Sequence, residues 1–332
     1  MSTAPMMESE LRVGTDRRMT VAVIIPCLNE EAAIAKVVVD FRKHLPDAAI
    51  FVYDNGSTDD TIKVARAAGA VVRSEPLRGK GNVVRRMFAD VEADVFVLVD
   101  GDDTYDAASA PKMIDLLLKN CLDMVNAVRQ TQVVEAYRPG HVLGNQVLTG
   151  LVAGVFGNRL TDLLSGYRIF SRRFVKSFPA LTTGFEIETE LSVHALQLRM
   201  PLGELNTVYK ERPKGSASKL STYKDGFRIL STIGYLVKEE RPFAFFSTCA
   251  AVLAIVALAL GIPVVLEFMH TQLVPRLPTA LLSAILVVLS VLSFACGLIL
   301  DTVSRGRVEA KRLAYLSIPV RFTPVDSEWS RS

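Results

Sequence analysis

Cysteine, histidine and tryptophan are scarce in this 332-residue chain, at four, four and one. Cys27, Cys121, Cys249 and Cys296 lie far apart, form no CxxC pair and have no histidine at metal-like spacing, which excludes a zinc ribbon and a disulfide framework. That usage fits a reducing compartment. Net charge is nearly absent too: 38 basic against 35 acidic residues leave +3, too balanced for a nucleic-acid footprint. There is no GxGxxG after the first apolar run and no GxxxxGK[ST], which argues against a dinucleotide oxidoreductase or a P-loop NTPase. Residues 1–19 are polar, lack the apolar core of a secretory signal and read as a loose leader.

Apolar residues are abundant, at 50% of the chain, with a mean hydropathy of +0.29. The excess sits in two late runs, 243–268 and 278–300, each near or above the ~20 residues that cross a hydrocarbon core. Both predict transmembrane helices; the alternative is a buried helix pair in a soluble core, which would rarely lack a polar face over such a length. Lys238 and Arg241 precede the first run, Arg305, Arg307, Lys311 and Arg312 follow the second, and the connection holds only Arg276. The positive-inside rule then puts both flanks in the cytoplasm, with 301–332 as a cytoplasmic tail. Residues 218–242 carry apolar side chains at three- and four-residue steps, as expected of an amphipathic helix on the membrane interface or packed on the soluble domain.

Residues 20–217 alternate apolar β-branched runs (VAVIIP, AAIFVYD, AVVRSE, DVFVLV) with amphipathic stretches. This pattern predicts an α/β domain with a parallel sheet buried on both faces. Polar residues collect where the strands end, so Asn29, Glu30, Asp54, Asn55, Asp100 and Asp102 are expected to converge on one crevice beyond the carboxyl edge.

Asp100, Gly101, Asp102 and Asp103 follow a buried strand directly, a pattern suited to a hard divalent cation that takes one or two carboxylates plus substrate phosphates. An Asp-rich turn capping the next helix would look the same. Asp54 closes another strand and suits a nucleobase or ribose contact, or simply a turn, and Ser57 to Asp60 suit a helix cap. Arg78 to Asn82 (RGKGN) opens a helix after a loop, where backbone N–H groups and Lys80 can hold phosphate. Arg212, Lys214, Ser218 and Lys219 form a second basic group, fitted to a diphosphate or to anionic headgroups.

Taken together, VAVIIPCLNEE, YDNGSTDDT, RGKGN, VDGDD, DLLSGYRIFSRR and ERPKGSASKL, followed by two apolar spans, resemble the polyprenyl-phosphate glycosyltransferases of glycosyltransferase family 2. Dolichyl-phosphate mannose synthases and bacterial undecaprenyl-phosphate sugar synthases are in that family, and dodecaprenyl-phosphate galacturonate synthases are a candidate subgroup. The resemblance implies a GT-A fold in the bacterial inner membrane with a cytoplasmic catalytic domain. It also implies a UDP- or GDP-sugar donor, UDP-sugar favoured and UDP-galacturonate among the options, a polyprenyl phosphate acceptor, and Mg²⁺ or Mn²⁺. Pro26, Leu28, Asn29, Glu30, Asp54, Asn55, Lys80, Asp100, Gly101, Arg212 and Lys219 would line the nucleotide-sugar site, and Asp100 and Asp102 would meet the metal. Arg129, Thr149, Asn145 and Arg168 would face the acceptor phosphate, with Arg138 as another candidate cation. Asn145 stands where some members carry an arginine and Thr104 where some carry a glutamine metal ligand. Glu188, at the family's acidic position, and nearby Glu186 would sit by the sugar or else serve the start of a helix.

The implied chemistry follows from charge. A phosphate monoester with a second pKa of about 6 is already an anionic nucleophile at cytosolic pH. The task is to neutralise the departing diphosphate and aim the acceptor oxygen at the anomeric carbon, which predicts single displacement with inversion. Asp102, Arg129 and Glu188 are the residues expected to carry it. Arg138, Arg168, Arg172 and Arg173 are the arginines that would pair with a uronate carboxylate. Two other readings stand beside this one: a transferase acting on another lipid or polysaccharide, though the chain lacks the QxxRW signature of processive synthases, and a non-catalytic membrane scaffold. No nucleic-acid partner is expected; a membrane hairpin of this kind wants a packing partner, such as a second copy of the chain.

Overall fold

The computed structural model describes residues 19–130, 150, 160–184, 186–210, 238 and 241–319. Asn145, Thr149, Arg138, Arg212, Lys214, Ser218, Lys219, residues 1–18 of the leader and nearly all of the 218–242 segment lie outside the described residues.

Chain order begins β1 (Val21–Cys27), α1 (Glu31–His44), β2 (Ala49–Asp54), α2 (Thr61–Ala67), β3 (Val71–Ser74), α3 (Lys80–Asp90) and β4 (Val95–Leu98). It continues with α4 (Ala110–Lys119), β5 (Met124–Gln130), β6 (Arg168–Ser171), α5 (Arg172–Ser177), α6 (Ile187–Gln197) and β7 (Leu202–Val208), then two long helices, α7 (Pro242–Thr271) and α8 (Leu277–Leu316). Seven strands form one sheet in the order β3-β2-β1-β4-β6-β5-β7. Because side chains alternate along a strand, Ala22 and Ile24 enter one core with Met87, Phe88, Phe170, Phe174 and Leu191, while Val23 and Ile25 enter the other with Ile34, Phe41, Met113 and Leu117. Both faces are therefore covered, and each such buried side chain contributes about 1.5–3 kcal/mol.

One expectation about the sheet needs correcting. It is mixed, because β6 runs antiparallel to both neighbours, with Leu98 opposite Arg168 and Asn126 opposite Arg168. A strand buried on both faces is apolar throughout, so its residues carry no sign of its direction. β6 starts at the crevice edge, with Arg168 beside Leu98 at the end of β4.

α7 and α8 are long and apolar enough to cross a bilayer, with hydropathies of 2.8 and 2.6 over their most apolar stretches, only 17% of each stretch being buried. A helix pair in a soluble core would be mostly covered. The buried positions on α7 include Ala250, Ala257 and Val264, and those on α8 are Ser283, Gly297 and Ser304. All fall on seven-residue steps, the spacing of two helices that wind around each other. Small residues let the backbones approach, and hydroxyls tie them together: Ser283 donates to the Ala257 carbonyl at 2.8 Å, Ser290 to that of Ala250 at 2.8 Å and Ser293 to that of Phe246 at 3.0 Å. The second helix does not end near Leu300. It continues to Leu316, so the first part of the expected tail is helical.

Candidate active site

The carboxyl ends of β1, β2, β4 and β5, the start of β6 and the end of β7 lie along one edge of the sheet. At its centre Lys80, at the start of α3, reaches Asp100 Oδ1 at 2.5 Å and Glu188 Oε1 at 2.5 Å. Burial opposes the ammonium charge, but the two carboxylates outweigh it and hold Lys80 protonated well above its usual range. Glu188 is 7% exposed in the first turn of α6, and its Oε2 is buried with no hydrogen-bond partner among the described residues. A buried carboxylate oxygen left unpaired is costly in a finished core and suits a position that meets a ligand.

The loop carrying Lys80 is braced from two directions. Asn55 donates to the Glu75 and Leu77 carbonyls at 3.0 and 2.8 Å and accepts from Gly79 N–H at 2.7 Å. Gly79 has φ +121° and lies so close to the Thr183 carbonyl that a Cβ would overlap it. Gly81 N–H donates to that same carbonyl at 3.1 Å, and Glu190 fixes the segment by accepting from the Leu181 and Thr182 N–H groups at 2.8 and 2.9 Å. Asn55 thus braces the loop that carries Lys80, with both amide hydrogens and one lone pair of its oxygen engaged.

Asp100 packs against Gly166, where a Cβ would overlap the carboxylate, and Gly101 lies over Cys27. Asp102 is 3% exposed and accepts from the Thr104 hydroxyl at 2.6 Å and the Thr104 N–H at 3.3 Å. Thr104 therefore orients the Asp102 carboxylate from two residues on. No cluster of three His, Cys, Asp or Glu side chains is present among the described residues. Two fixed carboxylates, one of them seated in a cradle that a side chain at Gly166 would fill, nonetheless fit Mg²⁺ or Mn²⁺, which completes its shell with substrate phosphates and water.

Arg129 is clamped by Asp162, Nε to Oδ2 at 2.7 Å and Nη2 to Oδ1 at 2.9 Å, and its guanidinium lies 5.5 Å from the centre of the Tyr209 ring. Tyr209 packs on Tyr105 at 5.2 Å, and the Tyr105 hydroxyl accepts from Gly166 N–H at 2.8 Å. Burial pushes the Tyr105 phenol up, keeping it neutral. This chain of contacts brings Arg129 into the same crevice as Asp100, Lys80 and Glu188. Asp162, Tyr105 and Tyr209 escaped the sequence reading; the only signal was that Asp162 and Gly166 belong to the DLLSG stretch and Tyr105 follows the Asp-rich turn.

Other residues sit at the rim or elsewhere. Pro26 and Leu28 are half-buried at the end of β1, and Asn29, at φ 52°, accepts from Thr58 N–H at 2.8 Å. Glu30 is 9% exposed, and its N–H donates to the Thr61 hydroxyl at 2.9 Å. Asp54 accepts from the Gly56 and Ser57 N–H groups at 2.9 and 3.1 Å, closing the turn. Arg168 requires a correction: its guanidinium is fully buried and donates to the Ser165 and Leu163 carbonyls and the Ser192 hydroxyl at 3.0, 2.7 and 2.8 Å. It organises the loop under the crevice and does not present to an acceptor phosphate. Arg172 and Arg173 pair with Glu92 and Asp123 at the opposite edge, away from any donor sugar.

The family model for glycosyl transferase family 2 matches residues 22–178. The chain is 32% identical over 254 residues to the glycosyltransferase AglJ of Haloferax volcanii, covering 75% of this chain and 82% of that one. It is 62% identical over 122 residues to protein RfbJ of Shigella flexneri, covering 36% and 95%, and 28% identical over 220 residues to a dolichyl-phosphate hexose transferase of Haloferax volcanii, covering 66% and 95%. Among solved structures, glucosyl-3-phosphoglycerate synthase from Mycobacterium tuberculosis in complex with Mn²⁺, UDP and its product superposes with a TM-score of 0.53 at 25% identity, over 65% of this chain and 80% of that one.

Proposed function

The chain belongs to glycosyltransferase family 2 and has a GT-A α/β architecture, and from that premise we propose that it transfers a hexose from a UDP-sugar to a polyprenyl phosphate at the cytoplasmic face of a bacterial inner membrane, with inversion. The observation that carries this reading is the sharing of one crevice by the Asp100–Lys80–Glu188 cluster and the Asp162-clamped Arg129, in a chain whose last described elements are two apolar helices. A hexose transferase using dolichyl phosphate among the relatives supports a lipid-phosphate acceptor, and a UDP complex among the structural neighbours supports the donor nucleotide.

Asp100 and Asp102 would hold a divalent cation, whose contribution when bound is neutralisation of the departing diphosphate. Lys80 adds fixed positive charge beside Asp100, and the basic pair Arg212 and Lys219, outside the described residues, is assigned to the same diphosphate. Arg129, oriented by Asp162 and Tyr209, holds the acceptor phosphate so that one oxygen faces the anomeric carbon. Thr149 and Asn145 are assigned to the same phosphate. Glu188 meets the donor sugar: Lys80 fixes its Oε1, and Oε2 accepts a hydroxyl hydrogen. Arg168, Arg172 and Arg173 are engaged elsewhere, which leaves Arg138, outside the described residues, as the arginine for a uronate carboxylate, and the donor panel below decides between a neutral hexose and a galacturonate.

The test is purified protein in detergent with Mn²⁺ or Mg²⁺, a polyprenyl phosphate and a panel of radiolabelled UDP- and GDP-sugars, scored for label in the organic phase. Label from a UDP-hexose is expected. Label from no donor, by folded protein, would move the assignment to another acceptor or to a non-catalytic role.

A further inference from the structure

The stripe of α8 that packs on α7 through Ser283 and Gly297 does not stop where the apolar run stops, since Ser304 is buried beyond it. It continues as Val308, Lys311 and Tyr315 at steps of four, three and four, one face of the same helix. Val308 and Tyr315 pack against the core formed by α3, α5 and α6. Lys311 donates to Gln197 Oε1, at the end of α6, at 2.9 Å. Tyr315 donates to Asp123 Oδ2 at 2.7 Å, and the Arg173 guanidinium lies 4.3 Å from the centre of its ring. Asp123, 1% exposed at the start of β5, is at the sheet edge opposite the crevice. Its Oδ1 accepts from the Ser171 hydroxyl at 2.7 Å and Arg173 Nε at 3.1 Å, and its Oδ2 also accepts from Arg173 Nη2 at 2.9 Å.

We propose that the end of α8 is a rigid strut that fixes how the catalytic domain stands over the bilayer, with Tyr315, Asp123 and Arg173 as its lock. The proposal rests on the membrane reading given above. An unbroken helix from Leu300 to Tyr315 spans about 22 Å, so the lock holds the far edge of the sheet at a set distance from the end of the apolar run. An acceptor phosphate attached to a bilayer sits at a fixed height. A donor site poised on a loose tether would meet it rarely, whereas a domain on a strut keeps its crevice at that level. Tyr315 and Arg173 are positioning residues, acting through the domain's stance and touching no substrate.

The experiment places spin labels at Leu77→Cys, an exposed position in the loop before α3, and at Val303→Cys on α8, with the exposed Cys121 and Cys296 replaced by serine, in full-length protein in liposomes. Pulsed dipolar distances should form one narrow distribution. Tyr315→Ala should broaden it, and Tyr315→Phe, which keeps the ring under Arg173, should broaden it less. Should Tyr315→Ala fail to fold, Lys311→Ala serves instead and should broaden it partially. In parallel, Tyr315→Phe should raise KM for bilayer polyprenyl phosphate on the order of tenfold while leaving KM for the nucleotide-sugar and turnover on a short water-soluble isoprenyl phosphate unchanged. A distribution that stays narrow in folded Tyr315→Ala overturns the strut, as does an equal loss on both acceptors. If the unmutated protein transfers sugar to neither acceptor, the proposed function fails, and the distance distributions still decide the strut.

Discussion

Glu188 and Asp123 are both buried carboxylates, one at each edge of the same sheet, and their surroundings differ in kind. Asp123 accepts four hydrogen bonds, two per oxygen, from Ser171, Arg173 and Tyr315. Glu188 has one oxygen on Lys80, and nothing among the described residues meets the other. A saturated carboxylate is a structural joint, since every lone pair contributes to holding the protein together. One left half-satisfied, beside a lysine shared with Asp100, is maintained at a cost that a substrate hydroxyl can offset. The two edges therefore differ: the amino edge ties its carboxylate to α8 through Tyr315, and the carboxyl edge holds a buried carboxylate with one oxygen unpaired among the described residues.

The comparison can be broken at its strongest point. Asp123→Ala leaves Arg173 and Tyr315 without their common partner and should lower stability by about 3–5 kcal/mol, read by thermal unfolding in detergent. A loss below about 1 kcal/mol would remove the claim that this edge is the joint. Glu188→Gln keeps the volume and should do the reverse, lowering turnover roughly 10- to 100-fold, the worth of a hydrogen bond to a charged group, with little change in unfolding temperature. Equal damage to stability would make Glu188 another structural group.

What could be read in advance separates along the same line. Strands, helices and the place of Asp54, Asp100 and Asp102 at or just beyond strand ends were legible because each depends on local periodicity and on where an apolar run stops. Neither the bracing of the Lys80 loop by Asn55, nor the burial of Arg168, nor the direction of β6 was visible, since each depends on which distant groups arrive nearby. Tyr315 and Asp123 are 192 positions apart, and nothing in a run of charged residues after an apolar span marks a helix that docks. Arg129 was readable as a cation by resemblance, but its orienting partners Asp162 and Tyr209 are supplied only by the fold.

A smaller effect sharpens the contrast from the joint side. His194 lies between the rings of Phe174 and Phe178 at 5.3 Å from each, and its pKa is pushed from 6.5 down to about 3 by burial, with the Lys311 charge adding to the effect. The unfolded chain takes up this proton below about pH 6.5, while the folded chain stays neutral until about pH 3. Stability is therefore lost as pH falls through that window, by up to about 1.4 kcal/mol per unit. Against His194→Leu, the unmutated protein should lose stability more steeply between pH 6.5 and 4.5; parallel curves would contradict this. The smallest effect belongs to Arg172→Ala, whose partner Glu92 is 63% exposed. It should change stability by less than about 0.5 kcal/mol, confining the joint to Arg173 and its neighbours.

The measurement that tests the central claim most directly is calorimetric titration of UDP into the detergent-purified protein, with and without Mn²⁺, beside Asp102→Asn. The account predicts metal-dependent binding that the variant weakens by on the order of tenfold or more while its unfolding temperature stays unchanged. Equal affinity in both proteins, or tight binding indifferent to metal, would contradict the assignment of the carboxyl edge as the nucleotide-sugar site.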